Sequence, residues 1–247
     1  MAQGFRPKGN EFIVVLTGAG ISAESGLGTF RDKDGLWTRY DLNDVATPDG
    51  FARNPKLVMD FYNDRRANSR AAAANAAHRA LARLEAEWQG DVLIVTQNVD
   101  DLHERAGSKA VLHMHGTLEG ALCAACGQRW PAPAVMAVAD TCPQCGQPAT
   151  RPDIVWFNEI PYHMDEIWFA LRAADLFVSI GTSGTVYPAA AFAQDAGRAG
   201  AYCLEINAEA SEVADDFDKV LIGPASRVVP EWVDHILIHR DLEFGGA

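Results

Sequence analysis

Three observations predict a doubly wound α/β fold with a second, smaller lobe. Short apolar, β-branched runs recur along the chain, helical patterns fall between several of them, and two stretches interrupt the alternation. Alternating strands and helices are typical of a parallel sheet covered by helices on both faces. A chain of 247 residues is long enough for one large core with a small appended module.

Six runs are predicted to be the strands of this sheet. They are residues 12–20, 91–98, 110–116, 175–183, 201–207 and 219–226. Because they lack period-two alternation, we expect strands that are buried on both faces. Most of the runs end in a small or polar loop. Ligands of such sheets bind outside the carboxyl ends of the strands, where these loops lie.

Helical patterns are clearest in the alanine-rich residues 67–88 and in residues 188–200, where a glycine ends the pattern. Residues 28–75 contain no convincing strand and show a helical pattern around 54–67. Residues 119–150 are rich in Cys, Pro, Gly and Gln and have little to pack. We expect the two stretches to leave the main sheet and to form the smaller lobe together.

Composition and charge exclude several classes of function. The net charge of -12 argues against a nucleic-acid partner, because phosphate binding needs a basic surface. The N-terminus has no apolar run, and no segment approaches the length of a membrane span. We therefore expect a cytoplasmic protein without disulfides and without a membrane partner.

Four cysteines, Cys123, Cys126, Cys142 and Cys145, form a C-x2-C-x15-C-x2-C pattern in which a glycine follows each pair. Two such turns make a tetrahedral zinc site, which is a far better account of this spacing than four unrelated thiols. Four protein ligands leave no open position, so the predicted zinc is structural. His113 and His115, just upstream, are then not needed as ligands, and one of them can serve as a general base. Cys203 lies in an apolar run and is expected in the core.

A glycine-rich turn follows the first predicted strand. Gly18, Gly20 and Ala23 match the pattern G-x-G-x-x-A, which lets a pyrophosphate approach backbone N–H groups at the start of a helix. Such turns are common, and a dehydrogenase carries an acidic residue on a second strand roughly 20 residues later, whereas residues 30–40 of this chain, "FRDKDGLWTRY", do not form a strand pattern. An ordinary nicotinamide dehydrogenase is therefore disfavoured, although a dinucleotide ligand is still expected. Glu205 and Asn207 are candidates for binding its ribose hydroxyls.

Three polar residues, Gln97, Asn98 and Asp100, stand at the end of the second predicted strand. They suit a ligand that is rich in hydroxyls and carries an amide. Turn formation and helix capping explain them equally well at this stage. His103 is expected to be a structural residue of the helix that follows.

Eight motifs follow one another along the chain: "GAGISAESG", "TFRDKDGLW", "TQNVDDLHERAG", "HMHG", the paired Cys-x-x-Cys, "VWFNE", "GTSGTVYPAA" and "EIN". Together they resemble the sirtuin family, and most closely its bacterial, CobB-type class, from residue 12 to about 230. The resemblance implies a Rossmann-like NAD-binding domain of residues 1–27, 76–118 and 151–247. It also implies a cofactor loop and helical module over 28–75, and a zinc-binding module over 119–150.

The resemblance implies removal of acyl groups from protein lysines, with NAD consumed as a co-substrate. The acyl oxygen attacks the anomeric carbon of the nicotinamide ribose and nicotinamide leaves. His115 then acts as the general base toward a ribose hydroxyl, while Asn98 and Asp100 serve at the nicotinamide end. His113 takes a structural role. The positions that match cofactor contacts of the family are Gly18, Ala19, Gly20, Ser22, Ala23, Glu24, Phe30, Arg31, Trp37, Gln97, Asn98, Val99, Asp100, Gly181, Thr182, Ser183, Asn207 and Ala225.

Two segments resemble those that clamp the substrate peptide by strand addition, and they contribute Val155, Phe157 and Val186. The chain departs from the family at Asn158, where relatives usually have glycine. Since Asn tolerates positive φ better than most residues, we expect the turn to survive.

Tyr62 and Arg65 are three residues apart and therefore share one face of a predicted helix. In the sirtuins that remove acidic acyl groups, such a pair binds the distal carboxylate of succinyl- or malonyl-lysine, which the planar fork of Arg suits. Without the resemblance, an exposed Arg beside a half-buried Tyr would be the simpler interpretation. Arg66 is expected at the surface.

The sequence thus predicts an NAD-dependent protein-lysine deacylase that is active on acetyl-lysine and on succinyl-lysine and that carries one structural zinc ion. Its expected partners are acylated lysines of proteins, and its oligomeric state is left open. One alternative is a mono-ADP-ribosyltransferase that uses the same NAD site without Tyr62 and Arg65. A second alternative is a non-catalytic zinc-ribbon adaptor.

Overall fold

The computed structural model of the chain describes residues 9–28 and 40–238. Within these ranges the strands are β1 (Ile13–Thr17), β2 (Val92–Thr96), β3 (Val111–His113), β4 (Gly116–Cys123), β5 (Arg129–Pro131), β6 (Thr150–Ile154), β7 (Leu176–Ile180), β8 (Tyr202–Asn207) and β9 (Lys219–Ile222). The helices are α1 (Ala19–Ser22), α2 (Leu42–Val45), α3 (Pro48–Arg53), α4 (Pro55–Ala71), α5 (Ala76–Glu87), α6 (Leu102–Ala106), α7 (Met164–Ala173), α8 (Phe192–Ala199) and α9 (Ala225–Ile238).

The six predicted strand runs form one parallel sheet in the part of the chain that the structure describes. Its strand order is β3-β2-β1-β7-β8-β9, so the chain starts in the middle, winds to one edge and then returns to build the other half. This is the doubly wound arrangement in which ligands bind where the strand order reverses, beside β1. The predicted fold class is confirmed.

Both faces of this sheet are buried, which is why the strand sequences do not alternate. Ile13 and Val15 of β1 point to a cluster built with α5 and α9. Val14 and Leu16 point to the opposite face, where α7 and α8 pack. All five residues of β1 are buried. Apolar contacts on both faces, each stabilising by about 25 cal/mol per Å² buried, therefore hold the large lobe together.

A second, antiparallel sheet has the order β5-β4-β6 and extends from residue 116 to 154. The expectation that residues 119–150 have little to pack was wrong where β4 runs into this range, and the buried strand β6 begins at its last residue. β4 alternates buried and part-buried positions over much of its length, and every residue of β6 is buried. Polar and proline residues disguise β6 in the sequence, since it reads "TRPDI".

The alanine-rich segment 67–88, predicted as one helix, is divided by residues 72–75. Ala72 adopts extended backbone after α4, and Asn75 begins α5 by accepting the N–H of Ala77 at 2.9 Å. The Asn75 amide also donates to the carbonyl of Ile21 at 2.7 Å. This contact with α1 fixes the break, because helix propensity alone favours continuation through alanines.

The helical module packs on the second sheet through α4. An apolar cluster joins Val58 and Phe61 of α4 to Leu118 of β4 and Ile154 of β6. A smaller cluster joins Met59 to Ala121 of β4. These contacts join the two stretches that interrupt the strand–helix alternation into one small lobe, as predicted. None of the described helices has the length and apolar character needed to cross a lipid bilayer.

Candidate active site

The carboxyl ends of parallel strands meet at one edge of the large sheet, and the predicted ligand-binding segments follow those ends. Residues 18–24 follow β1, residues 97–100 follow β2, His115 follows β3, residues 181–183 follow β7, and Asn207 ends β8. Segments that lie far apart in the sequence are thereby brought to a single edge.

The glycine-rich turn after β1 packs directly on the loop after β7. The N–H of Gly18 donates to Ile180 O at 3.0 Å, and that of Gly20 donates to Gly181 O at 2.9 Å. A Cβ on Gly20 would stand 2.6 Å from Gly181 Cα, closer than real side chains come. Glycine is therefore required here so that two backbones can approach each other, in addition to any approach by a ligand.

Asn98 and Asp100 are buried and belong to one polar network. The Asn98 amide donates to Gly18 O at 3.1 Å and to Ser22 Oγ at 3.2 Å. Ser22 Oγ donates to Asp100 Oδ2 at 3.2 Å. Burial raises the pKa of Asp100, while hydrogen bonds from the Leu102 N–H and Ser22 act in the opposite direction. The network fixes an amide and a carboxyl group beside the β1 turn.

His78 of α5 completes this network and is a residue that the sequence interpretation missed. It is fully buried, its Nε2 lies 3.4 Å from Ser22 Oγ, and its Nδ1 lies 3.3 Å from the N–H of Asn75. Since Nδ1 accepts, Nε2 carries the hydrogen and donates to Ser22. Burial, together with the charge of Arg79, lowers the pKa of His78 to about 4. The available signal was a histidine three residues after the Asn cap of an apolar helix.

His103 lies on α6 and is buried, as predicted for a structural residue. Its Nε2 is 3.0 Å from Thr17 Oγ1, and its ring packs edge-on against His78 at 5.0 Å. Burial lowers the pKa of His103 well below its usual value. The two histidines are therefore neutral supports behind the site.

His115 lies two residues after the end of β3, and it is part-buried. Its Nδ1 is 3.1 Å from the carbonyl oxygen of Gln97. A carbonyl can only accept, so Nδ1 carries the hydrogen and the lone pair of the neutral ring is on Nε2. Burial lowers the pKa of His115. The arrangement presents an unprotonated nitrogen at neutral pH, which is what a general base needs.

The end of β8 carries the two residues predicted to meet ribose hydroxyls. Asn207 donates to Thr182 O at 2.7 Å and to Glu205 Oε1 at 3.2 Å. Glu205 is buried, and its Oε2 has no hydrogen-bond partner among the described residues. An unsatisfied buried carboxylate oxygen calls for a donor, and a ligand hydroxyl would supply one.

The remaining predicted cofactor positions are distributed around this edge. Ala19 begins α1 and Ala23 follows it, while Glu24 accepts two hydrogen bonds from Ser226, next to Ala225 at the start of α9. Val99 is buried against the small lobe, and its carbonyl accepts the N–H of Leu118 at 2.8 Å. Ser183 Oγ lies 2.7 Å from Thr185 Oγ1. Three predicted positions lie outside the described residues: Phe30, Arg31 and Trp37.

The predicted peptide-binding segments adjoin His115. The N–H of Val155 donates to the carbonyl of His115 at 2.9 Å, which ties the segment after β6 to the proposed base. Phe157 is exposed, and Val186 lines a cleft together with Gln97 and Thr182. The two segments thus border the same edge of the sheet.

Asn158 has a φ of 73°, the left-handed conformation that glycine would adopt most easily. The expected tolerance of Asn at this turn is confirmed. Glu159 holds the turn by accepting the N–H of Trp156 at 2.8 Å and two hydrogen bonds from Arg151. The Arg151 guanidinium also lies 3.5 Å from the centre of the Trp156 ring.

Tyr62 and Arg65 lie on α4 as predicted, where Tyr62 is buried and Arg65 is part-buried. Tyr62 is buried, and its hydroxyl accepts the indole N–H of Trp156 at 3.0 Å. Burial raises the pKa of Tyr62 to about 12. The Arg65 guanidinium lies 5.7 Å from the centre of the Phe61 ring and interacts electrostatically with Asp100. Burial lowers the pKa of Arg65, while the charges of Tyr62 and Asp100 act in the opposite direction.

Arg66 is fully buried, and the expectation that it lies at the surface was wrong. Its Nε donates to Leu118 O at 2.6 Å, its Nη1 to Asn63 Oδ1 at 2.9 Å, and its Nη2 to Met136 Sδ at 3.2 Å. The three donors of one guanidinium therefore connect α4 to β4 and to the loop after β5. The sequence around Arg66 gave no sign of this burial, which depends on where the second sheet lies.

The four predicted metal ligands come together. The Sγ atoms of Cys123, Cys126, Cys142 and Cys145 all lie within 4.8 Å of one another. The Sγ atoms of Cys123 and Cys145 are 3.7 Å apart, and so are those of Cys126 and Cys142. This is close to the edge of about 3.8 Å that a tetrahedron with Zn–S bonds of about 2.3 Å requires. Gly127 and Gly146 follow the pairs with φ of 75° and 69°. The cluster fits one zinc ion, and in the described part of the chain neither histidine of "HMHG" belongs to it.

Comparison with protein families and relatives agrees with this arrangement. A family model described as the Sir2 family matches residues 18–188. The chain is 57% identical over 229 residues to an NAD-dependent protein deacylase of Caulobacter vibrioides, covering 91% of this chain and 96% of the relative. It is 52% identical over 231 residues to an NAD-dependent protein deacylase of Salmonella typhimurium, covering 92% and 85%.

Solved structures with the same fold include ligand complexes. A Sir2 homologue in complex with NAD superimposes with a TM-score of 0.87 at 37% identity, covering 95% of this chain and 93% of the other. The structure of Sir2Af2 bound to a myristoylated histone peptide superimposes with a TM-score of 0.71 at 31% identity, covering 93% and 92%.

Proposed function

The chain belongs to the Sir2 family, and from this premise we propose that it is an NAD-dependent protein-lysine deacylase that removes acetyl and succinyl groups. Nicotinamide and 2′-O-acyl-ADP-ribose are the proposed products. The proposal is carried above all by His115, whose Nδ1–H is engaged by the Gln97 carbonyl and whose Nε2 is left as the basic atom. The names of the relatives support the same activity.

The proposed NAD site runs along the carboxyl edge of the large sheet. The β1 turn and residues 181–183 would hold the phosphates, and Glu205 with Asn207 would bind ribose hydroxyls through the buried oxygen that lacks a partner. Asn98 and Asp100 would hold the nicotinamide end, since both are fixed by Ser22 beside the β1 turn. When bound, NAD supplies an anomeric carbon that a weak oxygen nucleophile can attack.

His115 is the proposed general base. Its Nε2 would accept the proton of a ribose hydroxyl, while Nδ1–H keeps the ring in place against Gln97 O. Because burial lowers the pKa of His115, the base is already unprotonated at neutral pH. The backbone carbonyl of the same residue accepts the N–H of Val155, so a hydrogen bond links the base to the peptide-binding segment.

Tyr62 and Arg65 are proposed to recognise the distal carboxylate of succinyl-lysine. The Tyr62 hydroxyl accepts from Trp156, which leaves its own hydrogen for an acceptor. Arg65 supplies a part-buried cation on the same face of α4, and a hydrogen bond from a guanidinium to a carboxylate is charge-assisted and strong. An acetyl group carries no distal carboxylate, so this pair would act on acidic acyl groups only.

The four-cysteine cluster is proposed to hold one structural zinc ion. It supplies four thiolates and no open position, so the ion would hold the second sheet together and take no part in the chemistry.

The proposed activity is tested with one peptide carrying acetyl-, succinyl- or malonyl-lysine, mixed with NAD and the purified protein, with products identified by mass spectrometry. We expect nicotinamide, free lysine and acyl-ADP-ribose from the acetyl and succinyl peptides. Transfer of ADP-ribose to protein without deacylation would instead indicate the mono-ADP-ribosyltransferase. An absence of nicotinamide release with every peptide would reject an NAD-consuming enzyme.

Acyl selectivity is tested by Arg65→Met with the same peptide. A hydrogen bond to a charged group contributes about 1.5–3 kcal/mol, so kcat/KM for desuccinylation should fall about ten- to hundredfold. Deacetylation should stay nearly constant. Lys56→Met is the matched control, because it removes an exposed cation from the same helix and should change neither activity. Equal losses in both activities would show that Arg65 only supports the lobe.

A further inference from the structure

Two histidines at the end of β3 have nearly the same surroundings on one ring nitrogen and different surroundings on the other. Nδ1 of His113 lies 3.1 Å from the carbonyl of Asn98, and Nδ1 of His115 lies 3.1 Å from the carbonyl of Gln97. Nε2 of His113, however, lies 2.8 Å from a carboxylate oxygen of Glu104 on α6. This contact makes the two rings chemically different.

His113 faces hydrogen-bond acceptors on both nitrogens. A backbone carbonyl has no hydrogen to donate, and neither has an ionised carboxylate. A neutral imidazole has one N–H and would leave Asn98 O or Glu104 opposite a lone pair. Only the doubly protonated ring satisfies both contacts, and the bond to Glu104 is then charge-assisted and correspondingly strong.

The charged groups around His113 favour the same state. Burial by itself would lower the pKa of His113, but the hydrogen bond and charge of Glu104, the Asn98 carbonyl and the charge of Asp100 together raise it above its ordinary value. His103, from the same helix as Glu104, has a strongly lowered pKa and adds no competing positive charge at neutral pH.

His113 thereby holds a segment that the proposed active site depends on. Asn98 is fixed through its N–H to Thr96 Oγ1 at 3.0 Å and through its amide to Gly18 O and Ser22 Oγ. His113, at the end of β3, adds a further contact, to the carbonyl oxygen of Asn98. The four contacts fix the backbone and the side chain of Asn98 in one orientation.

We propose that His113, in its protonated form and held by Glu104, is a positioning residue that orients Asn98 for NAD binding and turnover. This inference rests on the proposed function. His113 can play this role only while it is protonated. Its contribution to NAD binding and turnover is therefore present below the pKa that His113 has in the folded protein, and it is lost as pH rises through that pKa. His115 acts in the opposite sense, since it must be unprotonated.

The test compares kcat/KM for NAD as a function of pH in the parent, in Glu104→Gln and in the control Glu87→Gln, which changes an exposed carboxylate on α5. Removing the Glu104 charge should move the alkaline decline of kcat/KM to lower pH. Glu87→Gln should reproduce the parent profile. His113→Gln should lose about tenfold in kcat/KM, the equivalent of one charged hydrogen bond of about 1.5 kcal/mol, and should lack this alkaline decline.

The charge of His113 is measured separately, by NMR titration of the histidine rings in the intact parent and in Glu104→Gln. In the parent, we expect the His113 ring to be doubly protonated at neutral pH. In Glu104→Gln, we expect the ring to lose its second proton at a lower pH than in the parent. A neutral His113 at pH 7 in the parent, or an unchanged alkaline limb in Glu104→Gln, would overturn the assignment. If the parent releases no nicotinamide at all, the proposed function fails, whereas the titration still decides the charge of His113.

Discussion

The two lobes of this protein are stabilised by different kinds of contact. The large sheet is covered on both faces by apolar side chains, so its stability is distributed over many similar contacts. The small lobe has smaller apolar clusters and depends on a few polar groups: four thiols, the buried Arg66, and Arg151 against Glu159. Single polar substitutions should therefore destabilise the small lobe, whereas at the edge of the large sheet they should remove activity and leave the fold intact.

The strongest test of this contrast is removal of the metal from the small lobe. Structural zinc contributes on the order of 10 kcal/mol to folding, comparable with the whole net stability of a domain. Cys142→Ala should therefore lose the zinc and unfold or precipitate, and elemental analysis should find one zinc per chain in the parent. Cys203→Ala is the control, since it also removes a buried thiol but from the core of the large sheet. A soluble, fully active Cys142→Ala protein would contradict the structural role.

A substitution at the carboxyl edge of the large sheet should have the opposite effect, which is loss of activity with the fold intact. His115→Tyr removes the proposed base, and general bases contribute typically 10²–10⁴-fold, so deacylation should become undetectable or nearly so. The free energy of unfolding, from urea titration, and NAD binding should stay close to those of the parent. Deacylation at the parent rate would show that the base is another residue.

Arg66→Met asks whether the small lobe depends on polar contacts away from the metal. The change leaves Leu118 O and Asn63 without a buried donor, and an unmet buried group costs about 1–3 kcal/mol. We expect a loss of that size in urea titration with zinc still bound. Arg66→Lys should recover little, because one ammonium cannot reproduce three donors in a fork. Full stability in Arg66→Met would mean that apolar packing carries the small lobe as well.

The smallest predicted effect comes from His78, behind the active site. Its pKa is lowered from 6.5 to about 4 by burial, so the unfolded chain binds the extra proton first as pH falls. The contribution of neutral His78 is complete above pH 6.5 and is lost as pH falls toward 4, by on the order of 1–2 kcal/mol between pH 7 and 5. Urea titrations at pH 7 and pH 5 should show this loss, and His78→Gln should show a smaller one. An equal pH dependence in the variant would assign the effect to other groups, such as His103.

The sequence alone was sufficient for the six strands of the large sheet and for the four-cysteine cluster. Strands buried on both faces appear as short apolar runs, and all six runs became β1, β2, β3, β7, β8 and β9. Paired Cys-x-x-Cys turns are local, so their spacing already defines the cluster. The interpretation of Asn158 rested on a backbone preference of one residue type, which is also local.

Only the tertiary structure decided which polar groups are buried together. The break between α4 and α5, the second sheet around β4, the burial of Arg66 and the contact of His78 with Ser22 all depend on partners distant in the sequence. His113 and His115 show the same limit at the scale of single atoms, since they share one strand end and differ by one carboxylate that α6 delivers. Hydrophobic periodicity and the spacing of metal ligands can be read directly from the sequence. Desolvation and charge pairing are properties of the folded neighbourhood, because their energies depend on atoms that meet only after folding.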